Sequence, residues 1–364
     1  MSDHLPSDLI DAVLTFLPSK SLGRFKSVSK RWYSFISSPD FIKTHIRSYT
    51  QKNPNPTHMI LAPEDDDFLY SVGLKQLNTQ ISPVMVAAKR LNFLHEPWLL
   101  ILGSCNGLLL AYDIHENLYL INPTTRKSLK VPDSGEDRIS LTHGYGFGYD
   151  SSKDDYKVIS ISSKSVLDSD LNCSSVLVYS LRNNSWNKLP NMPYLLLDHY
   201  DPYPGILLND YLHWVTRPRH SPLTIVAFSL ADEKFHEIEL PDLVNFDIAF
   251  SFQLYAFGGK LFIVLCYEVP YPEFHYELWV MEEYGVPKSW KKLCVFQNDI
   301  DLTNEFIGQV SNWDILSGNY KADAIRIYNM DERRCASVKI EGCPEGPMVY
   351  GTYVETLESL ERFH

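Results

Sequence analysis

Apolar positions recur along this chain with two different periods. In "LPSDLIDAVLTFLP" (residues 5–18), Leu9, Ile10, Val13, Leu14 and Leu17 fall at helical spacing and predict a helix. Pro6 suits its first turn, Asp8 suits the positive end of its dipole, and Pro18 stops it. "SKSLGRFKSV" (19–28) predicts a second helix with Ser19 as N-cap and Leu22, Phe25 and Val28 on one face. "SKRWYSFIS" predicts a third, capped by Ser29, with Trp32, Phe35 and Ile36 inward. Pro39 and Asp40 open a fourth, "DFIKTHIRSY". Leu5, Leu9, Val13, Leu17 and Leu22 are more apolar surface than so small a bundle hides by itself, so a partner is expected.

From residue 58 the pattern becomes short apolar strands separated by polar turns, and it repeats. The copies are "YLINPTTRKSLKVP" (119–132), "VYSLRNNSWNKLP" (178–190), "AFSLADEKFHEIELP" (227–241), "WVMEEYGVPKSWKKL" (279–293) and "IYNMDERRCASVKI" (327–340). Ile121, Tyr179, Phe228, Val280 and Tyr328 mark the first strands, at spacings of 58, 49, 52 and 48. Seven residues on, Ser128, Trp186, Phe235 and Cys335 begin the partner strands; Trp290 takes that place in the fourth copy, displaced by "GVPK". Further hairpins lie between the copies: "GFGYDSSKDDYKVIS", "GILLNDYLHWV" and "LYAFGGKLFIVL", with "ND" and "GG" as turn signals. Four strands in each unit of roughly 50 residues predict a β-propeller of about six blades. "HMILAPEDDDFLYSVGL" (58–74) is placed to close the ring against "GPMVYGTYVETL" (346–357). A twisted β-sandwich is the alternative. The chain thus reads as multidomain: an all-α unit over 1–48, a linker over 49–57 ("TQKNPNPTH" spans 50–58) and an all-β domain over 58–364.

Composition agrees with that division. Aromatic residues make up 13% of the 364, with 22 Tyr and 18 Phe, types that suit strands. The net charge of −12 is unevenly spread: the first fifty residues hold seven Lys/Arg and four Asp/Glu, and the remainder holds 26 and 41. A body that acidic argues against nucleic acid as a general partner. The basic residues of the first fifty are spread over every helix, which does not fit a helix-turn-helix reader. No apolar run reaches the roughly 18 residues of a membrane helix, and the N-terminus has no secretory h-region. The six cysteines form no C-x-x-C pair and read as reduced thiols, hence an expected cytoplasmic or nuclear location.

Two motifs raise the question of catalysis. "GSCNGLLL" (103–110) has the glycine spacing of a nucleophile elbow around Cys105. An elbow leads into a helix, however, whereas "LLLAYDIHENLYLINP" leads through another turn into another strand. A hairpin with Asn106-Gly107 at its tip is the better reading, with a hydrolase using Cys105 as the alternative. "HGYGFGYD", with Gly144, Gly146 and Gly148, is likewise followed by a turn and a strand and not by the helix a phosphate cradle needs. The twelve histidines show no H-x-x-x-H pair, so neither a metal site nor a cofactor is called for.

The N-terminal stretch resembles an F-box. Its marks are Leu5-Pro6, Leu17-Pro18, Lys20-Ser21-Leu22, Arg24-Phe25, Val28-Ser29-Lys30, Trp32, and Pro39 with Phe41. One departure is Gly23, where the family has a larger apolar residue; glycine mid-helix costs about 1 kcal/mol relative to alanine. "INPTTRK", "GFGYDSSKDDYKV", "VYSLRNNSW", "YLHWV" and "ELWVMEEYGVPKSWKKL" resemble the F-box-associated, kelch-like domain of plant F-box proteins, the group that includes constitutive-defence and S-locus F-box proteins. Ile121 stands where that domain has Trp, and the kelch Gly-Gly is present only at Gly258-Gly259. The resemblance implies a non-catalytic substrate receptor. Its F-box would dock a Skp-type adaptor, and through it a cullin and RING ubiquitin ligase. The implied adaptor contacts are Leu5, Pro6, Leu9, Ile10, Val13, Leu14, Leu17, Pro18, Ser21, Leu22, Val28 and Trp32. A target protein would meet the long Tyr/Pro/His-rich connections "LDHYDPYP", "TRPRHSP" and "CYEVPYPEFHY", with Tyr200, Tyr203, Arg217, Arg219, Tyr271 and His275 as expected contacts. Scaffolding without turnover of the target is the second reading of the same resemblance.

Overall fold

Four helices open the chain: α1 (Ser7–Leu14), α2 (Ser19–Phe25), α3 (Lys30–Ile36) and α4 (Pro39–Lys52). The computed structural model describes residues 7–52, 55–77, 83–94, 99–135, 141–164, 173–196, 202–218, 223–241, 249–268, 274–297, 305–309, 314–319, 324–329 and 334–363. Pro6, assigned to the first turn of α1, lies outside them. Ser29 caps α3 as expected: its hydroxyl accepts from the Trp32 amide at 3.1 Å. Ser19 does not cap α2. Pro18 holds that position without a side-chain hydrogen bond, and Ser19, 1% exposed, donates instead to the Glu355 carbonyl at 2.7 Å. Leu14, Leu22, Ile36, Phe41, Ile42 and Ile46 form the helical core, and its seventh buried member is Leu357. The small bundle is thus completed by the far end of the chain.

The remainder is a six-bladed β-propeller. Blade 1 runs from its inner strand Met348–Tyr353 through His58–Pro63 and Leu69–Gly73 to Lys89–Leu91. The inner strand is C-terminal and the others N-terminal, with Met59 opposite Thr352 and Leu61 opposite Tyr350, so the ring closes by the pairing the sequence suggested. Blade 2 (Leu100–Cys105 to Lys127–Lys130), blade 3 (Leu141–Asp150 to Ser185–Met192), blade 4 (Ile206–Leu208 to Phe235–Ile238), blade 5 (Ala249–Phe257 to Trp290–Gln297) and blade 6 (Glu305–Gln309 to Arg334–Glu341) follow in order. Val84–Ala87 adds a parallel fifth strand outside blade 6 before the chain crosses to the edge of blade 1. Four repeat marks prove to be direct cross-strand partners: Ile121 with Ser128, Tyr179 with Trp186, Phe228 with Phe235, and Tyr328 with Cys335. In blade 5 a bulge at Leu278/Trp279 and the 3-10 turn Pro287–Ser289 absorb the insertion, and Trp290 faces Met281.

The core is a ring of seams between neighbouring blades. Met59, Val72, Ile327 and Val338 join blades 1 and 6. Leu110, Leu120, Phe147 and Tyr156 join blades 2 and 3, and Val215, Ile225, Ile263 and Trp279 join blades 4 and 5. Between blades 3 and 4 the seam is set by "HGYGFGYD". A Cβ on Gly146 would lie 2.8 Å from the Trp214 ring, and one on Gly148 would lie 2.4 Å from Leu230. The alternate glycines leave one face of the strand bare for the next blade, which is their role in place of a phosphate cradle. Indole N–H groups add ties: Trp186 donates to the Pro132 carbonyl at 2.7 Å and Trp290 to that of Glu239 at 3.1 Å, each across to the preceding blade.

Candidate functional site

The strand order divides the connections between two faces. Turns between first and second strands, and between third and fourth, lie on the face that carries the helices, the near face. Connections between second and third strands, and from blade to blade, join strand ends on the opposite, far face. Each face presents a different kind of surface.

On the helical unit, five large apolar residues are exposed, out of eight among the described residues: Leu9 (55%), Val13 (59%), Phe16 (55%), Val28 (61%) and Tyr33 (58%). So high a share in so small a part of the surface makes it a candidate interaction site. Leu9, Val13 and Phe16 are spaced i, i+4 and i+7, one face of α1 and its last turn. Pro18 is exposed as well, while Ile10, Leu17 and Ser21 are half-buried. Trp32 is half-buried, edge-on to Phe25 at 5.4 Å. Leu5 and Pro6 lie outside the described residues. Two expected contacts need correction. Leu14 (2% exposed) and Leu22 (none) point into the helical core, where Ile36, Phe41 and Leu357 cover them. Phe16 and Tyr33 were not anticipated; for Phe16 the signal was available, since it continues the Leu9–Val13 stripe by three residues.

On the far face, Tyr200, Arg219 and Tyr271 lie outside the described residues. Arg217 and His275 occupy strands at their far-face ends, opposite Leu195 and Tyr267 respectively. Tyr203 is a correction. With Pro204 it forms a short parallel strand on Gly144-Tyr145, inside blade 3, and it is 8% exposed among Ile159, Leu196 and Trp214. It lines the interior where a rim contact was expected, because the bare glycine strand accepts it.

The catalytic reading of "GSCNGLLL" does not survive the geometry. Strand Leu100–Cys105 turns at Asn106 (φ 50°) and Gly107 (φ 80°) directly into strand Leu108–Tyr112, a two-residue hairpin with both tip residues left-handed. Cys105 is 8% exposed in the seam between blades 2 and 3, and burial drives its thiol far above the ordinary range. A protonated, enclosed thiol is no nucleophile. A cleft of about 380 Å³ between blades 6 and 1 contains Cys343, whose pKa burial pushes up to about 12. Among the described residues no group of His, Cys, Asp and Glu is placed to hold a metal, and no helix is long and apolar enough to cross a membrane.

Comparison with known proteins covers both units. The family described as the F-box domain matches residues 2–44, and the F-box associated beta propeller domain matches 58–356. The F-box protein CPR1 of Arabidopsis thaliana is 33% identical over 318 residues, 80% of this chain and 73% of that one. An F-box/kelch-repeat protein of the same plant is 27% identical, over 96% of this chain and 95% of its own length. Among solved structures, TolB from Acinetobacter baumannii superposes with a TM-score of 0.50 at 10% identity over 86% of this chain and 72% of its own, a likeness of fold alone.

Proposed function

The chain belongs to the family of F-box proteins with an F-box-associated β-propeller domain, whose members are generally non-catalytic adaptor proteins, and from that premise we propose that it is the substrate receptor of a Skp–cullin–F-box ubiquitin ligase. The observation that carries the reading is the apolar surface of Leu9, Val13, Phe16, Val28 and Tyr33, left uncovered on an F-box whose own core is already filled. That surface docks a Skp-type adaptor. The far face, turned away from it, holds a target protein. Ubiquitin transfer then follows from proximity, because the ligase's conjugating enzyme is brought to a lysine of the bound target, and no side chain of this chain takes part in the chemistry. The target is degraded in consequence. A cytoplasmic or nuclear location belongs to the same proposal.

The test is adaptor capture by the full chain carrying Leu9→Asp and Val13→Asp. Both positions are more than half exposed, so folding is unaffected, and the loss of two interface anchors lowers affinity at least about 30-fold. Unchanged capture refutes the docking surface. Proteins that crosslink to the chain and accumulate when this variant replaces it are its targets; crosslinked proteins with unaltered lifetimes point to scaffolding.

A further inference from the structure

We propose that the C-terminal segment 354–363 is a splint that holds the F-box in one orientation on the propeller, with Leu357 as its positioning residue. The segment leaves the inner strand of blade 1 at Tyr353 and crosses the near face between the helices and the blades. Successive residues serve opposite sides, as in any extended chain. Toward the helices, the Glu355 carbonyl accepts from Ser19 at 2.7 Å and Leu357 enters the core beside Leu14, Leu22 and Ile36. Toward the propeller, the Thr356 hydroxyl donates to the Asn106 carbonyl at 2.8 Å. The Asn122 amide donates to the Glu358 carbonyl at 2.8 Å, and the Tyr156 hydroxyl donates to the Glu358 carboxylate at 2.9 Å. Leu360 and Phe363 end the segment in the seam between blades 2 and 3.

The propeller surface is shaped for this segment. Thr356 is fully buried, and Glu358 is 1% exposed. A Cβ on Gly107 would lie 2.4 Å from the Thr356 hydroxyl and 2.5 Å from the Val354 carbonyl. The Asn-Gly tip of "GSCNGLLL" is thus the platform on which the splint lies. A second strut stands beside it: Asp154, in a turn of blade 3, pairs with Lys43 of α4 at 2.7 Å and with Arg362 of the splint at 3.3 Å. The helices are therefore fastened to the blades at several points besides the chain connection itself, and α4, which runs to Lys52, takes up the first four residues of the linker expected over 49–57. The consequence for ubiquitin transfer rests on the receptor reading above: a fixed F-box sets where a far-face target stands relative to the ligase.

The test is a spin-label distance between the F-box and the far face in the full chain. Labels go on Thr44→Cys of α4 and Asp65→Cys of the far face, both exposed, in a background with Cys173, Cys294, Cys335 and Cys343 changed to Ser. The splint requires a single narrow distance distribution in the otherwise wild-type chain. Leu357→Ser broadens it at least two-fold, and Leu357→Met, which still fills the core, restores the narrow form. A broad wild-type distribution overturns the proposal without any variant, as does a Leu357→Ser distribution as narrow as wild type. If Leu357→Ser melts the helices, Ser19→Ala with Lys43→Ala supplies the loosening arm under the same criterion. Adaptor capture is read on the same samples. Its failure in the wild type would refute the receptor reading while leaving the distances, and so the splint, to stand.

Discussion

On the near face, the eight described turns of blades 2 to 5 have two to eight residues; on the far face, the connections described throughout are 64–68, 113–117 and 342–347, of five or six residues. Those near-face turns carry six acidic and five basic residues. Among the described residues, the far-face connections carry nine acidic residues and no Lys or Arg. The described part of the far face is thus acidic throughout, while the near-face turns nearly balance. The near-face turns are also closed by their own side chains. Asn122 accepts from the amides of Thr124 and Thr125, Asp150 from those of Ser152 and Lys153, Ser180 from Asn183 and Ser229 from Asp232. Each such turn has a left-handed residue four places after its capping side chain: Arg126, Asp154, Asn184 or Glu233. One face is built to be held and the other to be presented, although both are made from the ends of the same strands.

That contrast is broken most directly at Lys157. Its ammonium, 2% exposed, donates to Asp150 at 2.8 Å, to Glu233 at 2.7 Å and to the Leu230 carbonyl at 2.6 Å, tying blade 3 to blade 4 on the near face. Burial works against both charged forms. Hydrogen bonds from Lys157 and Ser152 nevertheless hold the Asp150 carboxyl below its usual pKa, and Asp150 and Glu233 raise that of Lys157. Lys157→Met leaves Asp150 charged and enclosed, at a cost of about 3–5 kcal/mol in the denaturant unfolding of the full chain. A loss under about 1 kcal/mol would mean that water serves the site and that the near face is no more fastened than the far one.

The next effect is a pH dependence from the seam between blades 4 and 5. His213 is fully buried; its Nδ1–H donates to the Ile206 carbonyl at 2.9 Å, and its Nε2 accepts from the Tyr284 hydroxyl at 2.7 Å. Burial lowers its pKa from 6.5 to about 4, outweighing the carbonyl contact that favours the charged ring. Between pH 4 and 6.5 the unfolded chain therefore binds the extra proton. The stability contributed by the neutral ring is complete above pH 6.5 and is lost as the pH falls toward 4, about 3 kcal/mol in all. Unfolding measured across that window has a shallower slope in His213→Asn, by up to about 1.4 kcal/mol per pH unit. Equal slopes would show that the ring is hydrated and the seam open.

The same contrast explains what a reader of the sequence sees. Repeat marks such as Tyr179 and Trp186 announce both the blade and its register, because a four-residue turn forces residues seven apart to face one another. The caps at Asn122, Asp150, Ser180 and Ser229 were equally visible, as a polar residue four places before each left-handed one. What escaped was decided at long range. Ser19 looks like a cap, yet its partner is 336 residues away. Leu14 and Leu22 share an apolar pattern with Leu9 and Val13, and helical spacing cannot tell which apolar residues a distant Leu357 will cover. Tyr203 reads as an exposed rim residue because a two-residue parallel strand leaves no period to detect.

The smallest expected effect tests the far face itself. In the acidic connection Glu64–Phe68, Asp66 is engaged: it accepts from the Phe68 amide at 3.1 Å and the Tyr70 hydroxyl at 2.7 Å. Burial and this contact push the Tyr70 pKa up to about 12. Asp65 and Asp67 are exposed on either side. A surface charge spared from packing is worth little to folding, so Asp65→Asn with Asp67→Asn changes unfolding free energy by no more than about 0.5 kcal/mol. Adaptor capture is likewise unaltered, since the F-box lies on the other face. Capture of a crosslinked target is the property free to change. A destabilisation beyond about 1 kcal/mol would place these carboxylates in the framework and erase the difference between the faces at this point.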